Sequence, residues 1–195
     1  MYRLWHGHSK RLEHQFLEVA EIISALDEAL TRGVQIVAML PAAPELLSTA
    51  SAAPERIAAL EARARLSKYE NFTLCGMAGR AVDGSRTPVY VHSKLMLVDD
   101  EWASVGSCNL HRYSLFGNGE LNAAFSDVRS VRAMRVALFQ EHLGADTTEA
   151  DDVEALRLFR RIARANRRRH VRNDPRWRGM AFVLDAAGYG LAPQF

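Results

Sequence analysis

The apolar positions of the chain fall into two alternating rhythms. Residues 16–32, FLEVAEIISALDEALTR, set Leu17, Ile22, Ala25, Leu26, Ala29 and Leu30 at helical intervals, and Gly33 follows as a stop. The run VQIVAML at 34–40 is continuously apolar and ends at Pro41, the pattern of a strand buried on both faces. Residues 42–53 are rich in Ala, Ser and Pro and read as a loop. Pro54 suits the first turn of a helix over 54–67, and NFTLC at 71–75 reads as a second strand. Residues 76–87 read as a polar loop with glycines. From Pro88 the chain is strand-like through VYVHSKLMLVDD. Asp100 and Glu101 suit a turn, and WASVGSCN reads as the returning strand. ELNAAFS at 120–126 is a further short strand. Helices are predicted over 128–143 and 151–168, and 173–195 shows no clear period. Helices alternating with strands predict an α/β fold, a mixed, largely parallel sheet flanked by helices.

Composition changes little in that picture. An apolar content of 48% and a charged content of 25% are ordinary for a globular domain. No run of 18 or more apolar residues occurs, which excludes a membrane-spanning helix by sequence. The first sixteen residues carry no apolar run and read as neither secretory signal nor transit peptide. Cys75 and Cys108 form neither a disulfide framework nor a metal spacing and are expected to be buried thiols. A cytoplasmic location is expected, with attachment at the periphery of the inner membrane as an extension of it.

Charge is unevenly spread. Ten arginines lie within 157–178 against one acid, Asp174. Removing those ten from the 25 basic residues, and Asp174 and Asp185 from the 23 acidic ones, leaves 15 against 21 in residues 1–156. Arg157, Arg160, Arg161, Arg164, Arg168 and Arg172 share one side of the predicted helix, opposite Leu156, Phe159, Ile162 and Ala163. Three readings of this block stay open: a solvated helix face, an anionic membrane surface as partner, and, less favoured without interleaved aromatics, nucleic acid. The chain divides on this basis into residues 1–150 and residues 151–195, the latter an Arg-rich helix and tail packed on the former.

Candidate chemistry concentrates in eighteen residues. On a strand, His92 and Lys94 project to one face, while Val91, Leu95 and Leu97 point inward. An imidazole beside an ammonium suits a phosphate. Asp99 closes the strand. Gly106, Ser107 and Asn109 then bring a small residue, a hydroxyl and a carboxamide, which can donate to phosphate oxygens.

The array His92-x-Lys94-x4-Asp99-x6-Gly106-Ser107-x-Asn109 resembles the HKD motif of the phospholipase D superfamily. Arg112 and Ser114 in NLHRYSL, and Glu120 and Asn122 in GELN, resemble the residues after the second motif in bacterial enzymes similar to cardiolipin synthases. The stretch from Glu13 to Pro41, which includes Gln15, resembles the segment preceding it. The likeness covers roughly residues 12–145. It implies one phospholipase D-like domain acting on phosphodiesters, most directly phospholipids, by hydrolysis or phosphatidyl transfer through a phosphohistidine, without cofactor or metal. By this resemblance His92 is the nucleophile or the general acid, and Lys94 and Asn109 hold non-bridging oxygens. Asp99 supports the charge balance, Ser107 lines the phosphate pocket and Glu120 orients an imidazole. Gln15, Gly106, Arg112 and Asn122 contact substrate.

Family sites use two such motifs, and this chain has one good copy. His8-Ser9-Lys10 imitates a second, but Gln15 stands where the Asp would fall. The missing copy is expected from a homodimer partner or from a lost N-terminal half, to which the start of the chain points. A metal-independent dimeric nuclease and an inactive remnant that only binds phosphate or a partner are the alternatives.

Overall fold

The computed structural model describes residues 21–43, 61, 64–110 and 112–195. The first helix, α1, runs over 21–31 and ends where Gly33 takes a φ of 92°, a left-handed conformation that suits glycine. Strand β1 is Ile36–Met39 and β2 is Phe72–Arg80. They pair in parallel, Ile36 opposite Phe72 and Met39 opposite Cys75. Strand β3, Arg86–Val89, returns antiparallel along the second half of β2, and β7, Ala181–Val183, pairs antiparallel with Cys75–Met77. Cys75 and Met77 each have a partner on both sides, so β7 lines the edge of β2 opposite β1 and β3.

This sheet is covered on both faces because β2 has no polar side. Phe72, Leu74 and Ala78 join Leu30, Leu66, Trp177, Phe182 and Leu184 in one core, with Leu26 of α1 against it. Cys75, on the other face, packs with Leu143, Phe159, Ile162, Ala163 and Ala181. The helices on that second face are α3, Val128–Leu143, and α4, Asp152–Val171. Their starts are set locally: Asp127 accepts from the Ser130 amide and Asp151 from the Glu154 amide. Asp152 and Glu154 in the first turn of α4, and Arg168 to His170 in its last, suit the helix dipole.

A second sheet contains β4, Lys94–Val98, β5, Trp102–Gly106, and β6, Asn122–Ser126, all antiparallel. Asp99 and Asp100, with φ of 51° and 52°, make the tight β4–β5 turn, closed by the Glu101 amide donating to the Val98 carbonyl. That turn is tied to α3. Arg135, only 3% exposed, donates to both carboxylate oxygens of Asp100 at 2.7–3.1 Å and also to Thr147 and Ala150.

The α/β class expected from the sequence is present, with helices flanking mixed strands. The strand directions differ from expectation: β1–β2 is the one parallel strand pair among the described residues, and the other four pairs are antiparallel. Parallel pairing needs a long crossover, and the segment between Met39 and Phe72 is long enough to be one for β1 and β2. The polar loop expected at 76–87 is instead the end of β2, a short turn and β3. Glycine there does not break the strand but permits close packing: a Cβ on Gly76 would lie 3.0 Å from that of Ala42 and 3.1 Å from Leu184. Three-residue β7 is too short to show a period. Gln15, residues 44–53 of the loop expected at 42–53 and residues 54–60, 62 and 63 of the helix expected at 54–67 lie outside the described residues, and 64–66 are helical.

Removing the guanidinium from the buried Asp100–Arg135 pair leaves a carboxylate without its partner. Arg135→Ala is expected to cost about 3 kcal/mol or more of folding stability, read as a lowered midpoint in urea unfolding.

Candidate functional site

The site forms at one end of the second sheet, from the row where its three strands meet. Lys94 opens β4, Gly106 closes β5 and Asn122 opens β6, and the register sets Lys94 opposite Gly106 and Gly106 opposite Asn122. Directly opposed residues share a sheet face, so the ammonium and the carboxamide flank a position without a side chain. Gly106 is required there, because a Cβ would overlap the Asn122 side chain and the Leu121 carbonyl. The Asn122 Oδ1 accepts from the Cys108 amide at 3.2 Å, which pins the loop after β5.

That loop carries the hydroxyl. Ser107 Oγ donates to Glu120 Oε2 at 2.5 Å and accepts from the Leu121 amide at 3.1 Å. Glu120 also accepts from Ser114 and Asn118 and feels the charge of Lys94. Its carboxyl is held below the ordinary value of 4.5, first by the Ser107 hydrogen bond, then by Ser114, against a desolvation cost. Ser114, 7% exposed on the short helix α2, Arg112–Phe116, also receives Asn109 Nδ2 at 3.5 Å. Asn109, Ser114, Glu120 and Ser107 therefore form one connected polar network beside Lys94.

His92 lies just before the strand rather than on it, in the segment 90–93 that carries the chain from the first sheet to the second. The expectation of a continuous strand through both residues fails because β3 pairs with β2 whereas β4 pairs with β5. The two residues still meet: Lys94 Nζ turns back to donate to the His92 carbonyl at 2.5 Å. The exposed His92 ring stacks at 6.0 Å from that of Tyr90.

The structure brings His92, Lys94, Gly106, Ser107, Asn109, Glu120 and Asn122 together. It does not bring Asp99, which sits five residues from Lys94 along the strand, about 17 Å at the usual rise. There it serves the turn next to Asp100. Arg112 opens α2; its side chain, like Gln15, lies outside the described residues. Sequence reasoning gave Asn118 no role and quoted Ser114 only as part of a likeness. The signal for both was the density of small polar residues between Asn109 and Glu120, which need a shared acceptor. Cys75 is fully buried as expected, and burial pushes its thiol up to about 12; Cys108 is only partly covered.

A lysine, a serine and two asparagines gather at this sheet end, with His92 two residues before the lysine, on an α/β scaffold. That combination is the one that the resemblance to a phospholipase D-type domain implies. The family model for the cardiolipin synthase, PLD-like domain matches residues 8–142, and the chain belongs to that family. Curated relatives are similar over shorter stretches. Phospholipase D alpha 1 of Carica papaya is 32% identical over 99 residues, 43% of this chain and 12% of that protein. Phospholipase D alpha 2 of Brassica oleracea var. capitata is 34% identical over 99 residues, with the same two shares. Phospholipase D alpha 4 of Arabidopsis thaliana is 36% identical over 77 residues, 36% of this chain and 10% of that protein. The chain thus spans about a tenth of the length of these relatives.

The local chemistry sets two expected outcomes. In the folded chain a thiol reagent such as Ellman's should titrate Cys108 and leave Cys75 untouched, so that Cys108→Ser removes the native reactivity while full reactivity of Cys75 returns only in denaturant. Glu120 has a folded pKa below its unfolded one, so its contribution to stability is complete above pH 4.5 and fades as pH falls through the lower folded value. Glu120→Gln should flatten the acid-unfolding profile below pH 4.5 relative to the parent chain.

Proposed function

We propose that this domain cleaves or exchanges phosphodiester bonds of glycerophospholipids through a phosphohistidine, in a site completed by a second HKD histidine from a partner chain. The observation that carries the reading is the contact of Lys94 with the backbone of His92, beside the Ser107–Glu120–Ser114–Asn109 network. Lys94 has three N–H donors and gives one to the His92 carbonyl, which leaves two for phosphate oxygens. Asn109 gives one Nδ2 hydrogen to Ser114 and keeps a second, a neutral donor in the same place, so charge developing on the phosphoryl oxygens meets groups already in position.

The chemistry needs two imidazoles. One attacks phosphorus while the bond to the leaving alkoxide breaks, and an imidazolium across the site protonates that oxygen. Water or an alcohol then displaces the histidine, giving its proton to the second, now neutral, imidazole. Water yields hydrolysis and an alcohol yields a new diester. The other described histidines are placed elsewhere: His142 packs edge-on to Phe159, and His170 stacks on Phe195 beside Trp177. A two-fold pairing of copies would bring a second His92 to face the first. Tyr90, Leu110 and Leu121, 72%, 70% and 82% exposed beside His92, Asn109 and Asn122, supply apolar surface for such a pairing to cover.

His92→Ala is expected to lower turnover of a chromogenic phosphodiester and of phosphatidylglycerol by on the order of 10²–10⁴-fold with the fold kept, as judged by circular dichroism. Unchanged turnover in that variant would remove His92 from the mechanism. Cleavage of DNA in preference to lipid by the parent chain would assign the site to another phosphodiester.

A further inference from the structure

The ten arginines of residues 157–178 are not equivalent in the folded chain. Arg160 is a structural tether: its guanidinium donates to Thr73 Oγ1 at 2.9 Å, to the Glu70 carbonyl at 2.8 Å and to the Gln35 side chain, and so fastens α4 to β1 and β2. Arg167 donates to the Gln194 carbonyl, Arg169 to Asn166, Arg178 to the Gly144 carbonyl, and Arg176 pairs with Asp174 at 2.8 Å. Arg157, Arg161, Arg164, Arg168 and Arg172 are all exposed, and no side-chain hydrogen bond or ion pair ties them to a described residue.

These five succeed one another at spacings of four, three, four and four residues, so they form one stripe along α4, about 22 Å long at the helical rise. Four of them line, with Arg160, a shallow open depression of about 320 Å³. The guanidinium groups crowd one another: the pKa of Arg160 is lowered, by burial first and by Arg164 second. Such unpaired like charges repel, and a solvated face gains nothing from placing them in a row. An anionic surface would relieve that repulsion across the whole stripe.

The apolar side of the same helix, Ala155, Phe159, Ile162 and Ala163, is sealed in the core, so the helix cannot roll over and insert. It would lie flat against a surface. Two residues favour lipid over nucleic acid as that surface. Val153 and Val171, 38% and 70% exposed, fall on the meridian of Arg157 and Arg164, one at each end of the stripe. Aliphatic side chains gain contact at a bilayer interface and gain little from a sugar-phosphate backbone, whereas the stripe holds no aromatic ring on which a base could stack.

We propose that the α4 face carrying Arg157, Arg161, Arg164, Arg168 and Arg172, with Val153 and Val171 at its ends, docks the domain flat on an anionic phospholipid membrane. The docking face is separate from the HKD site and does not depend on which phosphodiester that site cleaves. The negative balance of residues 1–156 turns the rest of the domain away from the same surface, which orients the molecule as well as holding it.

The test is co-sedimentation of the full chain with vesicles of phosphatidylcholine alone or mixed in equal parts with phosphatidylglycerol, at low and high salt. Binding is expected to the mixed vesicles only and to weaken with salt. The combined variant Arg157→Gln, Arg161→Gln, Arg164→Gln, Arg168→Gln should lose about tenfold or more in partitioning. A charge-matched control, Arg32→Gln, Lys68→Gln, Arg80→Gln, Arg129→Gln, should lose less than about threefold, since its positions are scattered. His92→Ala should bind vesicles as the parent does, so loss of catalysis and loss of docking are read separately. Undiminished partitioning of the stripe variant, absence of binding by the parent, or tighter binding of duplex DNA than of mixed vesicles at equal salt would each overturn the assignment.

Discussion

The site depends on one row of backbone pairing, in which Gly106 lies between Lys94 and Asn122. Because Gly106 has no side chain, the edges of β4 and β6 can close over it, and Asn122 can reach the Cys108 amide. That contact shapes the loop carrying Ser107 and Asn109. Everything polar in the cluster then comes from satisfying donors. Ser107 and Ser114 need acceptors, and Glu120 accepts from both; those hydrogen bonds first, and the nearby ammonium of Lys94 after them, hold the carboxyl's pKa down. A group of short polar side chains held this way loses little entropy when an anion arrives, and this favours binding charge that develops during a reaction.

The second sheet is small, and on its own it would be poorly anchored. Both of its faces carry exposed apolar side chains, Met96 on one and Val105 and Phe125 on the other. Its register with the rest of the domain is secured at the end opposite the site, where Asp100 meets buried Arg135 and Ala103 is fully buried. The carboxylate-ended strand of the motif is therefore divided in labour. Its start, Lys94, lies in the polar cluster beside Glu120, and its end, Asp99 and Asp100, turns the chain and fixes the strand to α3. A motif that reads as one string is, in space, two ends with different neighbours.

The first sheet supports this from a distance. Its two faces are both apolar, so helices must cover each, and α4 covers one of them with Phe159 and Ile162. Covering one face leaves the opposite side of α4 outward, and the arginines there are sorted by what lies within reach of a long side chain. Arg160 reaches the strand ends, while Arg157 and Arg164 hydrogen-bond to no described residue through their side chains. No helix among the described residues is long and apolar enough to cross a membrane.

Much of the molecule was readable in one dimension. The extent of α3, the stop at Gly33, a turn expected at Asp100 and Glu101 and found one residue earlier at Asp99 and Asp100, and the grouping of His92, Lys94, Ser107, Asn109 and Glu120 all rest on local rules: capping, left-handed φ tolerance and motif spacing. These depend on near neighbours, which a sequence displays. Three features did not. Strand β2 runs through Gly76 and Gly79, because close packing against Ala42 and Leu184 outweighs the intrinsic weakness of glycine in a strand. Asp99 lies far from the chemistry, because a strand separates residues that a motif prints side by side. The division of the arginines into tethers and a stripe unpaired among the described residues arises from partners up to 125 positions away, as Arg160 and Gln35 show. Local propensity and spacing thus determined which groups the chain carries and roughly where. Long-range pairing decided which of them meet, since only folding brings distant donors and acceptors within hydrogen-bonding range.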